Sequence, residues 1–545
     1  MKKRIFTLFL ALVMVIVLLP VTTRAEELDN GLQYKVYNTY VRITGYEGSA
    51  TELVIPNEIL GLPVTQIGSY AFYECTSLTN IKLPDSLTSI NYGAFSCCTN
   101  LISISIPESV THISDGDGIY DDSAFSYCTN LTAFHVDENN LYYSSDDRGV
   151  LFNKEKTKLI QVPGAITGSY VVPGGVTSIA DRAFYDCSEL TRVNLPASLT
   201  SVGYQTFISC NSLTGIHVDE NNLNYSSDAR GVLFNKNKTK LIQAPNAIAG
   251  SYIIPDGVTS IRDWAFADCE SLSNISIPDS VVSIDYGAFV LCTNLTNITI
   301  PSSVTSIGDF AFDGCESLST IIFKGDAPEF GDGSLYSVTA TAYYPAGNDT
   351  WTEENMPYYG TTINWVPYTP TPFSDVPIGS FFADPVAWAL TNGITTGASA
   401  DSFNPNGQCL RAQVVTFLHR AAGNPAPAST TNPFTDVKTS DFFYAPVLWA
   451  VEKGITNGTG AATFGSYDVC NRAAVVTFLW RAAGSPEPKT TDNPFTDVRS
   501  SDFFYKPVLW AIENGITNGV DATHFGPTSP CNRAQVVTFL YRAYN

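Results

Sequence analysis

Residues 298–315 read Ile-Thr-Ile-Pro-Ser-Ser-Val-Thr-Ser-Ile-Gly-Asp-Phe-Ala-Phe-Asp-Gly-Cys. Residues 275–292 carry the same phrase one step earlier, with Ile275-Ser276-Ile277-Pro278, Val281, Ile284, Ala288-Phe289 and Cys292. The Phe of this phrase recurs at 72, 95, 125, 184, 207, 266, 289 and 312, so four steps are 23 residues, one is 30 and two are 59. A period of 23 is too short for a domain and suits one turn of a solenoid. Ile298-Thr299-Ile300 alternates as a short strand, and Pro301 ends it where a ladder N–H would otherwise be needed. No single turn can bury its apolar face; stacked turns make a continuous core and an extended outer surface.

The two 59-residue steps are near-copies. His135-Val136-Asp137-Glu138-Asn139-Asn140 returns at His217–Asn222, and Arg148-Gly149-Val150-Leu151-Phe152-Asn153-Lys154 returns at Arg230–Lys236. A whole block is duplicated, and the proline-ended runs inside it (Leu159 to Pro163, Tyr170 to Pro173) predict irregular extra turns rather than free loops. The phrase resembles the BspA-like leucine-rich repeat over roughly residues 30 to 323. The resemblance implies a curved β-rich solenoid with N- and C-terminal caps over residues 26–368, adhesion to proteins in some members, and no catalytic residues.

Residues 373–545 repeat a different module three times at a spacing of 61. Phe373-Ser374-Asp375-Val376, Phe434-Thr435-Asp436-Val437 and Phe495-Thr496-Asp497-Val498 open the copies. Trp388, Trp449 and Trp510 align, as do Gly393-Ile394, Gly454-Ile455 and Gly515-Ile516, and Arg411-Ala412, Arg472-Ala473 and Arg533-Ala534. Each copy predicts two short helices. Pro446 suits the first turn of one and Gly454 the residue just past its end; Asn471 or Asn532 caps the start of the other, which stops at Gly484. So thin a core implies that the three copies pack together. Arg411, Arg472 and Arg533 each sit in a first helical turn, where backbone N–H groups and the helix dipole favour anions. A guanidinium there suits a carboxylate or phosphate; pairing with Asp375, Asp436 or Asp497 is the alternative reading.

These words resemble the S-layer homology (SLH) module, in copies at 373–423, 434–484 and 495–545 after a Thr369-Pro370-Thr371-Pro372 linker. The resemblance implies an all-α, pseudo-three-fold bundle that binds a pyruvylated secondary cell-wall polysaccharide. It assigns polymer contact to Arg411, Arg472 and Arg533, with Trp388, Trp449 and Trp510 beside them. The family's Thr before the Arg is replaced by Leu410, Asn471 and Asn532, and its Glu by Gln413, Ala474 and Gln535. Leu410 lacks a capping oxygen, so the first of the three grooves is expected to be the weakest.

The 545 residues carry a net charge of −22. Residues 373–545 hold 11 Lys+Arg and 13 Asp+Glu, net −2, while 26–372 hold 15 and 39, net −24. That excludes nucleic acid as a partner of the front part, since phosphates would be repelled. Lys2, Lys3 and Arg4, the apolar run from Ile5 to Val21, and Ala25 read as a signal peptide over 1–25 rather than a retained anchor, with no membrane partner once it is removed. No covalent wall-sorting signal is read at the other end, so retention is expected to rest on the SLH modules. Of the 12 cysteines, eight fall three residues after a repeat Phe and three fall two residues before an SLH Arg. Positions fixed by repeat phase read as small buried fillers, with disulfides or a metal as alternatives. Asp115-Gly116-Asp117-Gly118 with Asp121 and Asp122 reads as a solvated loop or a Ca²⁺ loop. The five histidines sit in no catalytic signature, and no catalytic residue, cofactor or metal site is assigned.

The sequence thus predicts a multidomain chain: a secreted cell-wall protein, held by SLH modules and displaying its solenoid to an unknown protein ligand. A surface enzyme acting on glycans and a structural S-layer component are the alternatives.

Overall fold

A computed structural model of the chain describes residues 26–28, 30–115, 123–357 and 363–545. The leader and residues 116–122 of the acidic loop lie outside them. The chain divides into two compact units: the residues up to Ala342 with Asp349–Trp365, and Tyr343–Asn348 with Val366–Asn545.

The first unit is the expected solenoid. Each turn contributes to three parallel ladders. Strands such as Asn297–Ile300 and Thr320–Phe323 form one, with Ile298 opposite Ile321 and Ile300 opposite Phe323. Two-residue strands form the second: Ser260–Ile261, Ser283–Ile284 and Ser306–Ile307 stack in register, isoleucine on isoleucine. The third runs through the Ala-Phe words, where Phe266 N donates to Ala288 O and Phe289 N to Ala311 O, both at 2.7 Å. Backbone polar groups are satisfied turn to turn, so the inside is left to side chains. Phe266, Phe289 and Phe312 stack with centroids 5.1 and 5.2 Å apart and planes within 7°. Each buried Phe of this kind is worth about 1.5–3 kcal/mol.

The repeat cysteines fill the space beside this stack and also donate. The Cys315 thiol points to Phe289 O at 3.1 Å, and that of Cys292 to Phe266 O at 3.2 Å. Among the described residues all twelve cysteines are free and eleven are buried. Burial pushes the Cys128 thiol up to about 12.

The duplicated blocks fold as antiparallel meanders rather than as irregular turns. Tyr143–Ser145, Leu151–Asn153 and Lys158–Gln161 pair in order, and the last strand joins the two-residue ladder beside Ser178–Ile179. Tyr225–Ser227, Leu233–Asn235 and Lys240–Gln243 repeat this. The cause lies in the copied polar residues. Fully buried Asn140 donates to Pro107 O and Val110 O and accepts from Tyr142 N and Tyr143 N. Asp146 accepts from Arg148 N and Val150 N and closes the hairpin turn. Asn222 and Asp228 do the same in the second copy. At the acidic insertion, Asp115 pairs with Lys158. The far end is closed by Phe323, Phe330, Trp351 and Trp365, with Phe323 and Trp351 centroids 4.8 Å apart.

The second unit contains six helices: α1 Ala383–Thr391, α2 Arg411–Ala421, α3 Tyr444–Glu452, α4 Arg472–Ala482, α5 Tyr505–Glu513 and α6 Arg533–Tyr544. Gly454 (φ 67°) ends α3 and Gly484 (φ 85°) ends α4 in the left-handed region that glycine enters without strain. α3 packs on α2, α5 on α4, and α1 on α6. Each module's first helix therefore lies on the second helix of the module before it, and the first module on the last. The three modules close into a ring around one shared core. At its centre Cys409 N donates to Cys531 O, Cys531 N to Cys470 O and Cys470 N to Cys409 O, each at 2.9 Å.

No helix among the described residues is long and apolar enough to cross a membrane.

Candidate functional site

The three sequence-predicted arginines lie at the three junctions of the ring, and each reaches into the next module. Arg411 Nε donates to Phe464 O at 3.2 Å and Nη2 to Thr456 Oγ1 at 3.2 Å. Arg472 Nε donates to Phe525 O at 2.8 Å and Nη2 to Thr517 Oγ1 at 3.0 Å. Arg533 Nε donates to Phe403 O at 2.8 Å and so closes the ring across the whole repeat. Its Nη2 is buried with no hydrogen-bond partner among the described residues. Each guanidinium also lies between two phenyl rings: Phe464 and Phe478 for Arg411, Phe525 and Phe539 for Arg472, Phe403 and Phe417 for Arg533, at 4.8 to 5.5 Å from the centroids. Burial lowers all three guanidinium pKa values from their ordinary range, yet Arg remains charged. Arg472 and Arg533 are 3% and 7% exposed, while Arg411 is half-buried.

Neither sequence reading of these helix starts matches their geometry. The first-turn N–H groups are not open: Arg411 N donates to Asp468 O and Ala412 N to Ser466 O, with Ser529 and Pro527, then Gly407 and Pro405, serving the other two starts. The neighbouring module's loop occupies the donors that would otherwise hold an anion. Nor does any acid pair with these arginines among the described residues. Asp375, Asp436 and Asp497 turn instead to backbone. Asp436 accepts from Phe464 N and Gly465 N, both at 2.8 Å, and Asp497 from Phe525 N and Gly526 N, both at 2.9 Å. Burial alone would raise the Asp436 pKa, but these hydrogen bonds outweigh it and hold it below the usual carboxylate range. The opening Asp thus fixes the loop whose Phe carbonyl receives the preceding module's Arg.

Asn471 and Asn532 cap their helices, accepting from Ala474 N at 2.9 Å and Gln535 N at 2.8 Å. Leu410 makes no such bond; only the reverse half of the motif survives, with Leu410 N donating to Gln413 Oε1 at 3.0 Å. At each junction the guanidinium Nη1 has no hydrogen-bond partner among the described residues, and at Arg533 Nη2 has none either. Two of the tryptophans pack against aromatic rings in the last turns of the adjoining second helices. Trp449 packs edge-on to His419 and Trp388 to Tyr541, with centroids 5.2 and 5.7 Å apart. Trp449 and Trp510 are buried and Trp388 is half-buried.

A second arginine set escaped the sequence reading. Arg420, Arg481 and Arg542 donate Nη1 to Ile394 O, Ile455 O and Ile516 O at 3.0 to 3.2 Å, tying the end of each second helix to the Gly-Ile turn. Their spacing of 61 was the available signal.

On the solenoid, His135 and His217 face outward from equivalent strands. Lys82, Asp85, Glu108 and His135 line one open depression; Asn194, His217 and Asp219 line its counterpart. Partial burial, then Arg192, lowers the His217 pKa.

Among the described residues no group of three or more His, Cys, Asp or Glu is placed to hold a metal ion.

Comparison with known proteins gives two family matches. The BspA type leucine rich repeat region (6 copies) matches residues 46–168, 165–249 and 246–344, more than half of the chain. The S-layer homology domain matches 372–415, 433–473 and 494–537. An endoglucanase of Bacillus sp. (strain KSM-635) is 32% identical over 129 residues, 24% of this chain and 13% of that protein. A cell surface protein of Thermoanaerobacter kivui is 30% identical over 138 residues, 25% of this chain and 18% of that protein. The chain therefore spans less than a fifth of either relative. Among solved structures, a leucine-rich repeat protein from Eubacterium ventriosum matches at 22% identity over 60% of this chain and 80% of that one, with TM-score 0.37. A leucine rich cell surface protein from Faecalibacterium prausnitzii matches at 22% identity over 63% and 95%, with TM-score 0.35.

Proposed function

Since the chain belongs to the BspA-type leucine-rich repeat family and carries three S-layer homology domains, we propose that it is a secreted surface protein held non-covalently by a pyruvylated secondary cell-wall polysaccharide. S-layer homology domains bind cell-wall polysaccharide, and this places the chain at the cell surface or wall. In this reading Arg411, Arg472 and Arg533 contact the polymer, while Trp388, Trp449 and Trp510 shape the grooves. One observation carries it: each guanidinium is locked by its neighbours through Nε, and its Nη1 is left for an acidic substituent. A fixed guanidinium loses little freedom on binding, so its charge-assisted bond is retained in the affinity.

The solenoid is read as the surface that meets a protein ligand. Its charge of −24 and the depressions around His135 and His217 favour a basic partner. No reaction is assigned to the chain.

The test is retention of the full chain on wall sacculi of the producing bacterium, intact and after removal of the polysaccharide. Retention on the intact sacculi alone is expected. Equal retention on both would overturn the anchoring reading.

A further inference from the structure

The three junctions are not alike. The loop that covers the start of α2 reads Gly465-Ser466-Tyr467-Asp468, where the other two read Gly526-Pro527-Thr528-Ser529 and Asn404-Pro405-Asn406-Gly407. One aromatic and one acidic side chain thus stand at a single junction. Tyr467 is 72% exposed, and its ring meets Phe443 edge-on at 6.1 Å. Phe443 in turn meets Phe442, itself 65% exposed, at 5.1 Å. Phe381 and Phe503 are the equivalents of Phe442 and equally bare, but Asn406 and Thr528 stand where they would need an aromatic neighbour.

Tyr467 of this patch belongs to the loop that covers the helix start bearing the least buried of the three arginines. Ser466 O and Asp468 O receive the first N–H groups of α2, so the loop bearing Tyr467 is the one that seats Arg411. Ser466 Oγ is buried in the same loop with no hydrogen-bond partner. Exposed aromatic rings beside hydroxyl, carboxylate and guanidinium groups form a surface for an amphipathic ligand with an apolar face and polar edges.

We propose that Tyr467 and Phe442 form a sugar-stacking subsite at the junction of the first and second modules, taking a neutral pyranose ring next to the acidic residue held by Arg411. The proposal rests on the wall-polymer reading. It makes the first groove the most elaborated of the three, although Leu410 leaves its helix uncapped. The C–H face of the ring lies on Tyr467, and the exposed Asp468 carboxylate accepts from its hydroxyls.

The experiment compares the full chain with Tyr467→Ala, Tyr467→Phe and Phe503→Ala on intact and polysaccharide-stripped sacculi. Tyr467→Ala should weaken binding to intact sacculi by about three- to tenfold, the range of one aromatic contact. Tyr467→Phe, which keeps the ring, and Phe503→Ala, whose junction has Thr528 in place of the tyrosine, should stay within about twofold of the parent chain. The melting temperature should not move, because Tyr467 is exposed. Binding by Tyr467→Ala equal to that of the parent would overturn the subsite and leave the anchor standing. So would a loss that Phe does not rescue, or a change confined to the oligomeric state of the chain. Parent binding that ignores the stripping would overturn the anchor and the subsite together.

Discussion

Phe289 in the solenoid touches one copy of itself before and one after, Phe266 and Phe312. Cys470 in the C-terminal unit is bonded to both other copies of itself, and those two to each other. Both units are built from repeats, but one is an open stack and the other a closed ring. The stack needs its ends covered, and it spends aromatic residues there: Trp351 and Trp365 lie against Phe323 at one end. The ring has no ends. The stack presents a long surface and carries nearly all of the charge. The ring is close to neutral and keeps three arginines inside its junctions. A charge can sit there because its carbonyl and ring partners are supplied in the same geometry at each junction.

The largest effect that would sharpen this contrast is a break in the stack. Phe289→Ala should cost about 3–5 kcal/mol in a urea titration. Hydrogen exchange should rise mainly in the turns on either side of it, as neighbour-only contacts require. A loss of protection spread evenly over the solenoid would argue against a stack. In the ring, Arg472→Ala removes two charge-assisted hydrogen bonds and should cost about 2–3 kcal/mol. Arg411→Ala should cost less, because Arg411 is half-buried; thermal unfolding of the two variants side by side tests the order. Asn532→Ala should cost about 1 kcal/mol through loss of its cap. Leu410→Ala has no cap bond to lose, so equal melting shifts that scale with side-chain volume alone would remove the distinction between junctions.

The smallest effect depends on pH. The Asp375 and Asp436 carboxylates are held below their ordinary value by backbone N–H groups that outweigh burial. Their contribution is complete above the usual carboxylate pKa of about 3.9 and is lost as pH falls through the lower folded value. Asp436→Asn should therefore melt below the parent chain near pH 7, and the gap should close as pH falls through the lower folded value; a gap that does not change with pH would contradict this.

Much of this was legible in the order of residues. Identical side chains at offsets of 23 and 61 give both repeats, and the inward positions Ile284, Phe289 and Cys292 follow from phase alone. The solenoid and the helical C-terminal unit are both found as read. Ring closure was legible only through the family resemblance, which implies a pseudo-three-fold bundle. Arg533 meets Phe403 across 130 residues, and nothing in either local sequence distinguishes that contact from an open array. The helix starts misled for a related reason: their N–H groups look free until the neighbouring module supplies carbonyls. The meanders in the duplicated blocks depend on Asn140 and Asn222, whose roles appear only when their four partners are assembled. All but one of the repeat Phe positions are also flanked by two residues in the left-handed region, such as Trp264 (φ 60°) and Asp268 (φ 58°) around Phe266. Trp264 is not a residue type that favours this conformation, and stacking between turns imposes it.

The proposed anchor depends on a locked guanidinium that meets an acidic sugar. Its most direct test is the affinity of the full chain for purified wall polysaccharide before and after the acidic substituents are removed by mild hydrolysis. A loss on the order of ten- to a hundredfold is predicted, matching the removal of a charge-assisted hydrogen bond. Equal affinity for the acidic and the neutralised polymer would contradict it.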